Sequence, residues 1–310
     1  MKKRQHILIY ILLLTLLNGC MINMTTSTIN EIDLQTTPKT CITKKIPILS
    51  PTMPPLPTNT ITATPTPTII LTPTPTISPQ SMEHLLSCAL LPVGSTMYIW
   101  GGGWNEEDTG AGPGATIIGT SPQWKEFASL QDKTYNEKNH RYEIENGLDC
   151  SGYIGWIIYN VFEQENNKEG YVFKSSTIAL KYSQKGWGDY IKNPDTFLVG
   201  DIVSMSGHVW LSLGMCDDGS VVLLHSSPPG VSICGTKLAN GSDSEAIKLA
   251  KYYMETYFPE WQQKYPNRSV NHSYTKNVTL LRWNSSTLFD VTSYQSLDAK
   301  TTLETIFQQK

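Results

Sequence analysis

The sequence predicts an α+β domain in which N-terminal helices, one of them carrying a cysteine at its start, pack on a small antiparallel sheet. Three observations predict it. Behind Cys150, the residues Ile154, Ile157, Ile158, Val161 and Phe162 recur at the spacing of an amphipathic helix. Residues 208–213 alternate, with Val209, Leu211 and Leu213 on one face and His208, Trp210 and Ser212 on the other, which is the period of a strand. Cys216-Asp217-Asp218-Gly219 then reads as a hairpin loop into a second strand over residues 221–226.

What precedes that domain is read from composition. The chain has 310 residues and a formal charge of −3. Such a charge gives no basic field for nucleic acid, and no nucleic-acid partner is expected. Six cysteines at this length make no disulfide framework, so the core has to carry stability. Lys2, Lys3 and Arg4 precede an apolar run over residues 7–17 that is too short for a comfortable membrane span. Leu17-Asn18-Gly19-Cys20 follows and resembles the bacterial lipobox. That resemblance implies a lipoprotein signal peptide over residues 1–20 and lipidation of Cys20. It also implies an exported protein, anchored on the outer face of the cell membrane or held in the wall. An ordinary signal peptide with an incidental cysteine is the alternative. Over residues 21–80 Thr and Pro dominate with little charge, as in the run ATPTPTIILTPTPTISP. Proline at this density favours polyproline II without a core, so a disordered stalk is expected. About forty such residues at ~3.1 Å each would span on the order of 120 Å.

The folded part is expected over residues 81–310. Residues 82–91 read as a short helix that exits into the glycine-rich turn around Gly101-Gly102-Gly103. The further glycines Gly110, Gly112 and Gly114 make no phosphate loop, since no Gly-Lys-Ser/Thr follows. Residues 103–146 read as an irregular insertion, the kind of segment that forms a lid. A second short helix is expected over 177–184 and a strand over 199–203. Residues 244–258 form a helical stripe with Ser242 or Ser244 as cap, 278–283 a late strand, and 297–307 a terminal helix. No internal repeat is present.

The chemistry centres on Cys150. A thiol at a helix N-terminus sits among unpaired backbone N–H groups and the positive end of the dipole, which favours the nucleophilic thiolate. With a four-residue loop at 216–219, strand partners sum to 435 and His225 lies opposite Trp210. Trp210 shares a face with His208, so the two histidines are diagonal neighbours, with Cβ atoms about 7–8 Å apart. A slip of one residue would put them on opposite faces. One imidazole can then pair with the sulfur and carry its proton while the other fixes the tautomer, as a thiol hydrolase requires.

These residues lie in Asp149-Cys150-Ser151-Gly152-Tyr153, Gly200-Asp201-Ile202-Val203, Gly207-His208-Val209 and Leu224-His225-Ser226. In this order they resemble the successive motifs of the NlpC family of bacterial cell-wall cysteine peptidases, in the papain-like superfamily. The separations, 208 − 150 = 58 and 225 − 208 = 17, are close to those usual in the family. Tyr98-Ile99-Trp100-Gly101-Gly102 resembles its aromatic-Gly-Gly segment, and the resemblance covers residues 85–230. It implies a papain-like, monomeric enzyme with no cofactor and no metal. Cys150 would be the nucleophile, His208 the base and His225 the orienting residue. Tyr98 and Trp100 would line the site, and Asp149 and Ser151 would contact the free amine of the substrate. That substrate would be a peptidoglycan stem peptide, cut near the γ-D-glutamyl bond to the diamino acid through an acyl thioester. Two departures stand out: Tyr98 precedes the cysteine by 150 − 98 = 52 positions instead of about a dozen, and the chain runs on past residue 230, giving a C-terminal extension over 235–310.

Other readings stay open at this stage. The same triad could serve an N-acetylmuramoyl-L-alanine amidase or a transferase, or stand in a wall-binding lipoprotein without activity. A zinc site made by Cys150, His208 and His225 has no closely spaced ligand pair behind it. Whether Cys216 and Cys234 form a disulfide is also open.

Overall fold

Side-chain caps set most of the helix starts. The computed structural model describes residues 80–162 and 169–308; the signal peptide, Cys20 and the stalk up to residue 79 lie outside them. Ser81 accepts a hydrogen bond from the His84 N–H and opens α1 (Met82–Leu90). Helix α2 (Pro122–Leu130) begins with proline, whose missing N–H costs nothing in a first turn. Asp149 accepts from the Gly152 N–H and opens α3 (Cys150–Val161). Helix α4 (Ile178–Gln184) follows. Then come β1 (Gly188–Lys192), β2 (Ile202–Met205), β3 (His208–Met215), β4 (Val221–Ser227) and β5 (Gly230–Thr236). Of the two serines considered for the next cap, Ser244 takes the role, accepting from the Ile247 N–H at the start of α5 (Glu245–Tyr257). The described chain closes with α6 (Pro259–Lys264), β6 (Ser269–Val270), β7 (Thr279–Trp283) and α7 (Ala299–Gln308).

The architecture is α+β. One sheet has the order β1-β7-β2-β3-β4-β5-β6 and is antiparallel except for the β5–β6 pair. It is larger than the sequence pattern suggests, because β1, β5 and β6 carry no readable alternation. Strand β5 is built from small residues and buried along its whole length, which erases the period of two. The hairpin register is the expected one near the histidines: Leu211 pairs with Leu224 and Ser212 with Leu223, both summing to 435. A bulge between Ser212 and Met215 then shifts the pairing to Met215 with Val221, away from the site.

The two faces of the sheet build two cores. Val209, Leu211, Leu213, Val222, Leu224 and Ile233 join the residues of α1, α3, α4, α5 and α7. Val203, Trp210, Val221, Leu223, Cys234 and Leu280 form a second cluster from strands and loops, without an α-helical residue among those described. Cys216 belongs to the first cluster and Cys234 to the second, and both are free thiols.

Helix α3 departs from the amphipathic expectation. All nine residues from Cys150 to Ile158 are buried. Their outer side is covered by the segment 103–146. Trp124 of α2 meets Trp156 edge-on at 5.8 Å. The Trp156 indole N–H donates to the Gly119 carbonyl at 3.0 Å, and the Asn160 amide donates to the Ile117 carbonyl at 3.1 Å. Truncating a buried tryptophan costs about 3–5 kcal/mol. The insertion is therefore a wall of the core and holds a helix of its own.

The residues after 235 are equally integral. Strand β7 lies between β1 and β2, pairing Leu281 with both Tyr190 and Ile202. Its Arg282 donates from Nη2 to Asp201 Oδ2 at 2.7 Å and from Nε to Oδ1 at 3.1 Å. Asp201 is completely buried, so this two-pronged pair neutralises a carboxylate inside the fold.

Candidate active site

Backbone contacts seat the cysteine. The Leu148 N–H donates to the Met97 carbonyl at 3.3 Å and the Asp149 N–H to the Gly102 carbonyl at 2.9 Å. The approach is closer than any side chain allows. A Cβ on Gly102 would stand 2.5 Å from the Gly147 oxygen, and one on Gly147 would stand 2.2 Å from the Met97 oxygen. So the Tyr98–Gly102 segment lies against the cysteine loop despite the long separation in sequence, because the insertion leaves and returns at the same place.

Asp149 caps α3 and is 6% exposed. It accepts from the Gly152 N–H at 2.7 Å, from the Ser151 hydroxyl at 2.8 Å, and from the backbone of Ser151 and Gly101. Burial nevertheless pushes its carboxyl up to about 6, against those hydrogen bonds. Ser151 also accepts from the Trp104 indole N–H at 3.1 Å. Both residues thus serve the seating of Cys150, in addition to any contact with a ligand.

The Val209 N–H, of the residue next to His208, lies near enough to the Cys150 sulfur to favour its thiolate. His208 Nε2 lies 3.0 Å from His225 Nδ1, with the rings edge-to-face at 5.1 Å between centroids. The predicted register thereby produces the predicted contact. Ser226, the neighbour of His225, donates from its hydroxyl to the Leu148 carbonyl at 2.6 Å and ties the histidine strand to the cysteine loop. Tyr98 is buried beside Cys150 and Asp149; burial and those two groups hold its phenol well above the ordinary range. Trp100 stands apart, 47% exposed, with the Arg141 guanidinium 5.3 Å from its ring centre.

One site residue escaped the sequence pattern. Tyr274, in a short 3-10 turn over His272–Thr275, sets its ring 5.4 Å from that of His208 and 6.1 Å from that of His225. Burial, with Cys234 and Cys150 nearby, pushes its phenol up to about 12. No local motif marks it, because the β5–β6 pairing, distant in sequence, carries residues 269–275 toward the histidines.

The electrostatics reverse one expectation. Burial, with Asp149 beside it, pushes the Cys150 thiol up to about 12, and burial pushes His208 down to about 4. A helix dipole contributes up to about 2 kcal/mol toward thiolate, and burial of the sulfur acts against it. Desolvation wins. The resting pair is a neutral thiol and a neutral imidazole, and His225 is held neutral still more firmly by burial, His208 and Arg268.

Among the described residues, three potential metal ligands lie within 4.8 Å of one another, and they are Cys216, Asp218 and Glu245, not the cysteine–histidine trio. No protein-family model matches this chain, and no curated protein or solved structure matches it either.

Proposed function

We propose that this chain is a papain-like cysteine peptidase of the NlpC type that hydrolyses amide bonds in peptidoglycan stem peptides. The observation that supports it most is the hydrogen-bonded His208–His225 pair, on strands that the Ser226 hydroxyl ties to the loop carrying the helix-start Cys150. Sulfur attack on the carbonyl carbon and proton transfer from the thiol to His208 occur together, since neither ion is stable beforehand. His208 uses Nε2 toward His225, which leaves Nδ1 to receive that proton. His225 accepts from the resulting imidazolium and fixes its orientation. The Cys150 N–H at the start of α3 and the Tyr98 phenol are the donors for the oxyanion. His208 then protonates the leaving amine, an acyl thioester remains on Cys150, and water releases the acid. Asp149 places negative charge near the sulfur, where a free peptide amine is recognised, and the Trp100 ring offers a stacking surface.

Lipidation of Cys20 and export belong to the same proposal. An amidase or transferase acting at the muramoyl–alanine bond would use the same steps. The test is digestion of purified sacculi with the protein, with mass analysis of the released fragments. Cleavage near the γ-D-glutamyl bond is expected, lost in Cys150→Ser, nearly lost in His208→Ala and reduced less in His225→Ala. Undiminished cleavage by Cys150→Ala would sink the proposal, and cleavage at the muramoyl amide would reassign the bond.

A further inference from the structure

Strands β3 and β4 carry the histidine pair, and a ring from outside both strands touches it. Tyr274 stands 5.4 Å from His208 and 6.1 Å from His225, while the two imidazoles are 5.1 Å apart, all between ring centres. Among the described residues it is the one further aromatic ring in contact with either histidine. Both rings that meet His225 do so edge-to-face, at 79° for His208 and 71° for Tyr274, an arrangement that aromatic pairs favour.

The 3.0 Å bond from His208 Nε2 to His225 Nδ1 depends on the planes of both rings. Rotation of an imidazole about its Cβ–Cγ bond is soft, so packing has to fix those planes. His225 is buried, but His208 is only half-buried and relies on what lies over it. Tyr274 is itself anchored: its N–H donates to the Asn271 carbonyl at 3.1 Å, and the Asn271 side chain accepts from the Ser273 N–H at 2.9 Å. Its ring packs on the cluster of Val203, Trp210 and Leu223, and lines a cavity of about 300 Å³ together with His225. Serines and asparagines make up much of the remaining wall. Without the ring that space would extend to His208, and a polar space of this size takes up water.

We propose that Tyr274 is a positioning residue whose ring fixes the planes of His208 and His225 and keeps water from the bond between them. That the fixed pair serves hydrolysis rests on the function proposed above; the clamp itself does not.

The full chain, labelled in its histidine and tyrosine rings, is followed by NMR from pH 4.5 to 8. Burial holds His208 down at about 4, so loss of its cover should let it titrate higher, toward the ordinary 6.5. The other ionisable groups around the pair stay as they are: the Cys150 and Cys234 thiols, both pushed up by burial, and Arg268, whose charge acts on His225. Tyr274→Ala should show this rise and should lose the signal of the proton shared by the two rings to exchange with water. Tyr274→Phe, which keeps the ring, should behave as the wild type. In muropeptide turnover Tyr274→Ala should lower kcat about tenfold with KM little changed, and Tyr274→Phe should restore it. The wild type supplies a check that needs no variant, since the Tyr274 ring protons should give NOEs to the rings of both histidines. Absence of those NOEs, identical His208 titration in wild type and Tyr274→Ala, or a Tyr274→Phe as disturbed as Tyr274→Ala would overturn the proposal. So would an undiminished kcat in a Tyr274→Ala whose His208 has shifted. A wild type without turnover whose resonances respond as described would remove the peptidase reading and keep the clamp.

Discussion

Cys150 in the resting protein should be a slow nucleophile toward small alkylating agents, and its rate should climb with pH far past neutrality. Burial pushes its thiol from the ordinary 9.0 up to about 12. At pH 8 the thiolate fraction then falls from about one in ten to about one in ten thousand. A more basic thiolate is also a better nucleophile, with a Brønsted slope of about 0.4–0.5, which recovers roughly twentyfold. The net expectation is alkylation about fiftyfold slower than for the same residue in the unfolded chain. Iodoacetamide labelling from pH 6 to 10, in buffer and in urea, with the Cys150 peptide read by mass spectrometry, measures both. The slope is the sharper readout, since restricted access lowers the rate without flattening its rise. A native rate that levels off above pH 7, or that exceeds the unfolded one, would refute the neutral pair and establish a thiolate–imidazolium pair.

Further outcomes follow from the same contacts. The folded pKa of His208 lies below its unfolded value, about 4 against 6.5, so its stabilising contribution is present above pH 6.5 and lost as pH falls toward 4. Between pH 7.5 and 4.5 the wild type should lose about 2 kcal/mol more than His208→Gln in urea denaturation, a figure trimmed because the ring is partly exposed. Arg282→Ala strands the buried Asp201 carboxylate and should cost about 3–5 kcal/mol by the same assay. Ser226→Ala removes the tie to Leu148 and should cost about 1–2 kcal/mol. It should also lower kcat for muropeptide cleavage more than it changes KM.

How far the sequence carried the structure depends on the range of the signal. The hairpin from 208 to 227 was legible in register because period and loop length are local, and with it came the His208–His225 contact. The cap at Asp149 and the start of α3 at Cys150 were legible for the same reason. What could not be read locally was the neighbourhood. A helix buried on every side, like α3, looks amphipathic in sequence when polar Asn160 and small Gly155 interrupt the stripe, and its cover comes from a segment without clear periodicity. Tyr274 was invisible because it reaches the histidines through a two-residue parallel pairing. The resting charge state was misjudged from the helix dipole alone, since sequence position says nothing about desolvation.

The place of β7 in the sheet has a consequence for the order in which the molecule is made. Ile202 waits for Leu281, 281 − 202 = 79 positions later, and β1 has no other strand beside it. Such distant pairing is slow to form. A nascent chain halted between residues 226 and 278 already contains Cys150, His208 and His225, yet its sheet lacks the strand between β1 and β2. A chain halted before residue 274 lacks Tyr274 as well. Completion of the surroundings of Cys150, His208 and His225 is thereby deferred to the last stretch of synthesis.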